Sequence, residues 1–235
     1  NSGTVETKGF GDYVTAVDHA AEDAAVAVVT ERTPDIPVLA EERGGSLAER
    51  VWVIDPVDGT TNFVRRFPMV GVSAAVLQDG VPVAGAVAAP FLGETWSAAR
   101  GGGARDKKGR PLAIASSEGK GVVATGFPFR NPANLSRYLP VMNTALDEFE
   151  DLRRPGAASL DLAYVAAGVW DGFFELGLAV WDIAAGALLI LEAGGVVTDW
   201  EGDRLEVYTS GDILAGAPAW HETMLRIVRE TATLR

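Results

Sequence analysis

Residues 52–63, WVIDPVDGTTNF, hold two aspartates and a run of small polar residues at a spacing that can do chemistry. A turn over Asp55, Pro56, Val57 and Asp58 can aim two carboxylates and the carbonyl of Val57 at one point, which is how hard cations are held by oxygen. Gly59 lets the backbone approach a ligand closely. Thr60 or Thr61 can begin a helix, and the N–H groups at a helix start suit a phosphate. A strand, an Asp-Pro turn and a Thr cap account for the same letters with no ligand at all, because such turns are common.

The elements around this stretch must position it. The apolar run 52–54 reads as a buried strand. Pro56 fixes its own φ and pushes Asp55 toward an extended conformation, so the strand is expected to stop there and turn. Upstream, the polar and Gly-rich residues 1–14 read as a loop, and 15–32 read as a helix ended by Pro34 and Pro37. A short strand over 37–40 feeds Glu41 and Glu42; adjacent strand residues point to opposite faces, so one of the two can reach a site while its neighbour faces away. By itself the pair also reads as a solvated acidic surface.

Downstream, strands are expected over 69–77, 81–89 and 95–99, with Asp79-Gly80 as a hairpin turn. The glycines at 101–103 lack the GKS/T of a nucleotide loop and read as a tight turn. After that the rhythm changes. Strands over 122–125, 151–154, 172–175, 196–198 and 213–215 alternate with helices over 135–149, 158–167, 182–193 and 218–230. The expected division is an N-terminal antiparallel α+β half, 1–117, and a C-terminal α/β half, 118–235, meeting at the polar stretch SSEGKG (116–121). Asp182 reads as an N-cap or first-turn acid favoured by the helix dipole.

Composition narrows the chemistry. The chain has 235 residues, 48% of them hydrophobic, enough for a substantial core. The absence of cysteine excludes disulfides, thiolate zinc sites and a cysteine nucleophile. Two histidines, His19 and His221, supply a zinc site or a serine–histidine triad poorly and read as helix-surface residues. The net charge of −12 argues against direct binding of nucleic acid or of an anionic membrane. No charge-free apolar run reaches ~18 residues, so no membrane span is expected. No signal peptide is read, and a cytoplasmic location is expected.

WVIDPVDGTTNF resembles the signature of the inositol monophosphatase family of metal-dependent sugar phosphatases. LAEE (39–42) lies where the family has its GEE, and WDIAAGALLILEAGG (181–195) resembles its second signature. KGFGDYVTAVDHAAE (8–22) resembles the N-terminal metal loop and the helix after it. TGFPFR (125–130) and ASLDLAYVAAG (158–168) resemble the bacterial members. The blocks stand in family order over nearly the whole chain. The resemblance implies a layered αβαβα sandwich of the sugar phosphatase type. Family members carry a further helix before the segment that starts here at Lys8, so a trimmed N-terminus is expected.

The same resemblance implies a ligand set. Glu41, Asp55, the carbonyl of Val57, Asp58 and Asp182 become metal ligands, with Asp182 reaching across from the second half; Glu42 is left outside. Four carboxylates and a phosphate carrying about −2 cannot share a site without cations, which points to two or three Mg²⁺, with Mn²⁺ as a substitute. Glu41, Thr60 and Asp55 are the implied catalytic residues, Thr60 and Glu41 orienting or deprotonating a water whose pKa a metal lowers. Asp58, Gly59, Thr60, Gly156, Ala157, Ala158, Glu175 and Asp182 are the implied substrate contacts, with Glu175 in FFELG (173–177) on a sugar hydroxyl. Lys8 and Asp12 fall in the loop implied to organise a third metal. Arg130, Arg153 and Arg154 read as surface or structural charges in preference to a second phosphate site, and Trp170 and Trp181 as core. RDKKGR (105–110) departs from the family's short NG-type hairpin.

The function expected on this basis is Mg²⁺-dependent hydrolysis of inositol monophosphate, or of a similar small sugar phosphate, by a lithium-sensitive homodimer. Fructose-1,6-bisphosphate, histidinol phosphate and NADP are the alternative substrates. A regulatory protein that binds transcription machinery without catalysis is the alternative of a different class. A calcium module is disfavoured by the lack of an EF-hand loop.

Overall fold

The computed structural model describes residues 5–9, 12–115, 121–129 and 131–233, with no side chains for 5–15 or for 232 and 233. Two sheets organise these residues. The first has six strands in the order β3-β4-β5-β6-β7-β8: Val38–Ala40, Arg50–Asp58, Gly71–Gln78, Val81–Ala89, Glu94–Ala99 and Gly103–Asp106. The second has five, in the order β10-β9-β11-β13-β12: Asp151–Arg153, Val122–Thr125, Gly172–Glu175, Ile213–Gly216 and Val196–Thr198.

Helices α4 (Ala158–Ala166) and α5 (Val180–Glu192) lie between the two sheets and touch both. Helix α1 (Ala16–Arg32) packs against β4, and α3 (Leu135–Glu148) packs with α7 (Pro218–Thr233) over the second sheet. The result is the expected αβαβα layering. Strand β4 shows why its sequence is apolar at every position from 51 to 54. Its period of two sends Val51 and Val53 into the core shared with α5, while Trp52 and Ile54 pack toward Val26 of α1. That shared core includes residues of both sheets and of α4 and α5.

The structure corrects several expectations. Residues 1–14 are not all loop: Val5–Gly9 (β1) and Asp12–Thr15 (β2) pair as an antiparallel hairpin, Val5 opposite Thr15. Their β-branched and aromatic positions outweigh the polar composition that reads as a loop. Strand β4 does not stop at Asp55. It passes through an irregularity between the pairs Asp55–Ser73 and Asp58–Gly71, and Pro56, which has no N–H to donate, sits inside it. The first sheet is not wholly antiparallel, since β3 runs parallel to β4, and β8 was not expected. The second sheet is mixed: β9 is parallel to β10 and β11, while β13 is antiparallel to β11 and β12.

Two short helices complete the list, the expected α2 (Thr60–Val64) and the unexpected α6 (Val207–Ser210). His221 is not on the surface. It is 7% exposed, its Nε2 lies 2.8 Å from the Thr198 hydroxyl, and burial pushes its pKa down to about 4. His19 is exposed as expected, and Trp170 and Trp181 pack against the shared core. In 105–110, Asp106 accepts hydrogen bonds from the N–H groups of Lys108 and Arg110, each at 2.9 Å. The stretch 116–120 that was expected to hold the boundary between halves lies outside the described residues, as does Arg130. No described helix is long and apolar enough to cross a membrane.

Candidate functional site

A cavity of about 380 Å³ opens where β3, β4, β9 and β11 end and α4 and α5 begin, a common place for a ligand in a layered α/β structure. Its wall carries Glu41, Asp55, Val57, Asp58, Thr60 and Asp182. Each aspartate accepts a backbone N–H. Asp55 is 2% exposed and its Oδ1 accepts the Val57 N–H at 2.9 Å. Asp58 reaches across the molecule: its Oδ2 accepts the N–H of Ser159 at 2.7 Å and the Ser159 hydroxyl at 2.6 Å. Asp182 sits in the first turn of α5 and its Oδ2 accepts the Ala179 N–H at 2.8 Å, a capping interaction that also keeps the carboxylate at the cavity.

Asp182 is thus the first-turn acid of α5, and its carboxylate also lines the cavity. An ionised carboxylate has about four acceptor positions, so anchors of this kind orient it without saturating it.

Glu41 lies in a turn after β3 and not in the strand itself, so strand alternation does not separate it from Glu42. The turn is held from α1. Glu22, 2% exposed, accepts the N–H of Glu42 at 2.8 Å, and its other oxygen accepts the N–H and Nε of Arg43 at 3.0 and 2.9 Å. Gly59 takes φ 92°, and a Cβ there would stand 2.9 Å from the Met69 carbonyl, so the turn into α2 requires glycine. The Thr60 hydroxyl lies 3.1 Å from both Asp18 Oδ1 and the Val57 carbonyl, to either of which it can donate.

Electrostatics place the acids together. The Asp55 carboxyl is held well above the usual carboxylate range, first by burial and then by Asp58, Asp182 and Glu41. Such a set of hard oxygens fits a divalent cation of the Mg²⁺ type. As the side chains stand, no three acidic or histidine groups among the described residues are gathered tightly enough to enclose an ion. The chemistry of the donor set therefore fits a metal, and a bound ion would have to draw the carboxylates inward.

The opposite wall is formed by Gly156, Ala157, Ala158, Glu175 and two residues absent from the expected set, Asp161 and Arg154. Glu175 ends β11 with its carboxylate over Gly126, where a Cβ would meet it at 2.0 Å. Asn62 ties this wall to α2: its Nδ2 lies 2.8 Å from the Met69 carbonyl, 2.9 Å from that of Pro155 and 3.3 Å from that of Gly156. Arg154, expected as a surface charge, is exposed but stands at the cavity, its guanidinium 5.6 and 5.5 Å from the ring centres of Phe127 and Phe129. Arg153 is an exposed partner of Asp151.

Sequence reasoning missed Asp18, Glu22, Asn62 and Asp161. The first two were legible as acids in an Ala- and Val-rich helix, and Asp161 as a lone acid within ASLDLAYVA. Lys8 and Asp12 fall on β1 and β2, but their side chains lie outside what is described.

Known proteins resemble this chain over nearly its whole length. The Nus factor SuhB of Escherichia coli strain K12 is 42% identical over 227 residues, covering 95% of this chain and 85% of that protein. An inositol-1-monophosphatase of Mesorhizobium japonicum is 39% identical over 240 residues, covering 98% of this chain and 88% of its own. The crystal structure of an IMPase/NADP phosphatase complexed with Mg²⁺ and phosphate superposes with a TM-score of 0.83 at 25% identity, over 95% of this chain and 85% of that one. A profile of the inositol monophosphatase family matches residues 1–233, and the chain belongs to that family.

Proposed function

We propose that the protein is an Mg²⁺-dependent phosphomonoesterase acting on inositol monophosphate or a closely similar small polyol phosphate. The observation that carries this reading is the buried Asp55 carboxyl, surrounded by Glu41, Asp58 and Asp182 in one cavity. Those four acids and the Val57 carbonyl would hold the metal. When bound, two or three Mg²⁺ ions neutralise the acids, lower the pKa of water and favour departure of an alkoxide.

The chain's own residues do the rest. The Thr60 hydroxyl, held near Asp18 and the Val57 carbonyl, orients the attacking water, and Glu41 accepts its proton. The N–H groups of Gly59 and Thr60 face the phosphate oxygens. Gly156, Ala157, Ala158 and Glu175 receive the alcohol, with Asp58 and Asp182 at its reacting end. In this reading the halves 1–117 and 118–235 act as two walls closing on the substrate, in a homodimer. The Lys8 and Asp12 hairpin serves a third ion.

The test is phosphate release from inositol monophosphates, fructose-1,6-bisphosphate, histidinol phosphate and NADP, with and without Mg²⁺, for wild type and Asp55→Asn. Metal-dependent turnover of an inositol monophosphate, lost in the variant, is expected. Preference for another of the four would move the substrate within the family. The E. coli relative named as a Nus factor favours a second reading, a regulatory role in a transcription complex. Folded protein with no turnover on any substrate would leave that reading in place of the first.

A further inference from the structure

Asp161, an acid of the cavity, carries a fully buried side-chain oxygen with no hydrogen-bond partner. It sits in the first turn of α4, 1% exposed, in a helix otherwise made of Ala, Leu, Ser, Tyr and Val. It lines the same cavity as Glu175, yet its buried Oδ1 has no hydrogen-bond partner. The nearby cation does not answer it, because the Arg154 guanidinium lies against the rings of Phe127 and Phe129. A buried oxygen of this kind costs stability unless a ligand or a water offsets it, and the carboxyl that carries it lines a cavity where a ligand can bind.

We propose that Asp161 is a specificity-determining residue, whose carboxyl takes a hydroxyl of the substrate's polyol beside the hydroxyl taken by Glu175. This rests on the phosphatase reading for the identity of the substrate, but on the cavity alone for the binding of a polyol. The chemistry of the pair suits vicinal hydroxyls. Burial, and then the charges of Asp58 and Glu175, oppose ionisation of Asp161, while Arg154 favours it. A carboxyl held toward its neutral form both donates and accepts, which is the complement of an alcohol that does the same. A substrate lacking that hydroxyl would leave the carboxyl unpaired, which is how such a site discriminates.

The test compares wild type with Asp161→Asn and Asp161→Leu on an inositol monophosphate and on p-nitrophenyl phosphate, which carries no alcohol hydroxyl. Asp161→Leu should raise KM for the inositol ester by about tenfold or more and leave the aryl ester within about twofold, with Asp161→Asn intermediate. The thermal midpoint of Asp161→Leu should equal or exceed that of wild type, because an unpaired buried polar atom has been removed. Binding of free myo-inositol, read by saturation-transfer NMR, should be present in wild type and lost in Asp161→Leu.

An equal loss on both esters, or a lowered thermal midpoint with unchanged KM values, would assign Asp161 to structure and overturn the proposal. If wild type hydrolyses neither ester, the phosphatase reading alone fails. The NMR comparison then decides: myo-inositol binding lost in Asp161→Leu sustains the role of Asp161, and no difference between the proteins, or no binding by either, ends it.

Discussion

The two walls of the cavity hold their carboxyl groups in opposite ways. On the wall built by β4 and α5, each aspartate accepts a backbone N–H: Asp55 from Val57, Asp58 from Ser159, Asp182 from Ala179. On the facing wall, Asp161 has an oxygen with no partner and Arg154 rests on aromatic faces in place of a carboxylate. The first wall is oriented by the fold before any ligand arrives, and it gathers negative charge. The second is shaped by the fold and lacks a hydrogen-bond partner. The difference matches a site whose one end takes cations and whose other end takes hydroxyls.

The sharpest break is expected at the first wall. Asp55→Asn should reduce Mg²⁺-dependent turnover by about 10³-fold, measured as phosphate release. The same change relieves repulsion among four acids, so the metal-free variant should melt above metal-free wild type, and Mg²⁺ should raise its midpoint less. A variant that lost activity and also melted lower without metal would mean that Asp55 holds the fold and not the ion.

Asn62 joins the walls, and its removal tests whether they depend on each other. Asn62→Leu removes the two N–H donors that three carbonyls share and should cost about 2 kcal/mol in denaturant unfolding. It should weaken binding of polyol and of metal together. Loss of only one would show that the walls act separately.

His221 supplies a control remote from both walls. The folded ring stays neutral down to about pH 4, while the unfolded ring takes a proton below its ordinary value of 6.5. Between those values the unfolded chain binds more protons, so stability rises with pH and is lost as pH falls from 6.5 toward 4. Allowing for screening where solvent reaches the ring, the loss is about 2 kcal/mol, and His221→Gln should flatten that part of the stability–pH curve. If His221→Gln leaves the slope unchanged, the cavity acids and not His221 control it.

The smallest effect is expected for Glu22→Gln. It keeps a hydrogen-bonding side chain under the 42–43 turn but removes the charge that pairs with Arg43, and should cost about 1 kcal/mol. Turnover should fall in proportion as Glu41 loses its place. Unchanged turnover would show that the turn needs no clamp.

The same contrast sets what the sequence could tell. The turn of Asp55, Val57 and Thr60 was legible because it is made within six residues, by a proline and short-range hydrogen bonds. The strand and helix pattern of the second half was legible for the same local reason. The expectation that Asp182 and Glu41 are ligands needed the family resemblance, since nothing nearby distinguishes a ligand from a capping or solvated acid.

Asp161, Asn62 and Glu22 were not assigned, because their roles depend on partners or cavity walls brought from far along the chain. The β1–β2 hairpin was lost to composition, and β4 was cut short because a proline inside an irregularity looks like a proline at a strand end.

The bond from Ser159 to Asp58 spans 101 residues of sequence, and that from Asn62 to Pro155 spans 93. Closing chain segments of that length is slow compared with forming a hairpin or a helix, so these contacts belong late in folding. The cavity is therefore among the last features to appear, and recovery of turnover in a refolding experiment should lag behind recovery of helical signal. A chain cut between the two sheets should leave pieces that are silent apart and regain function only when they dock.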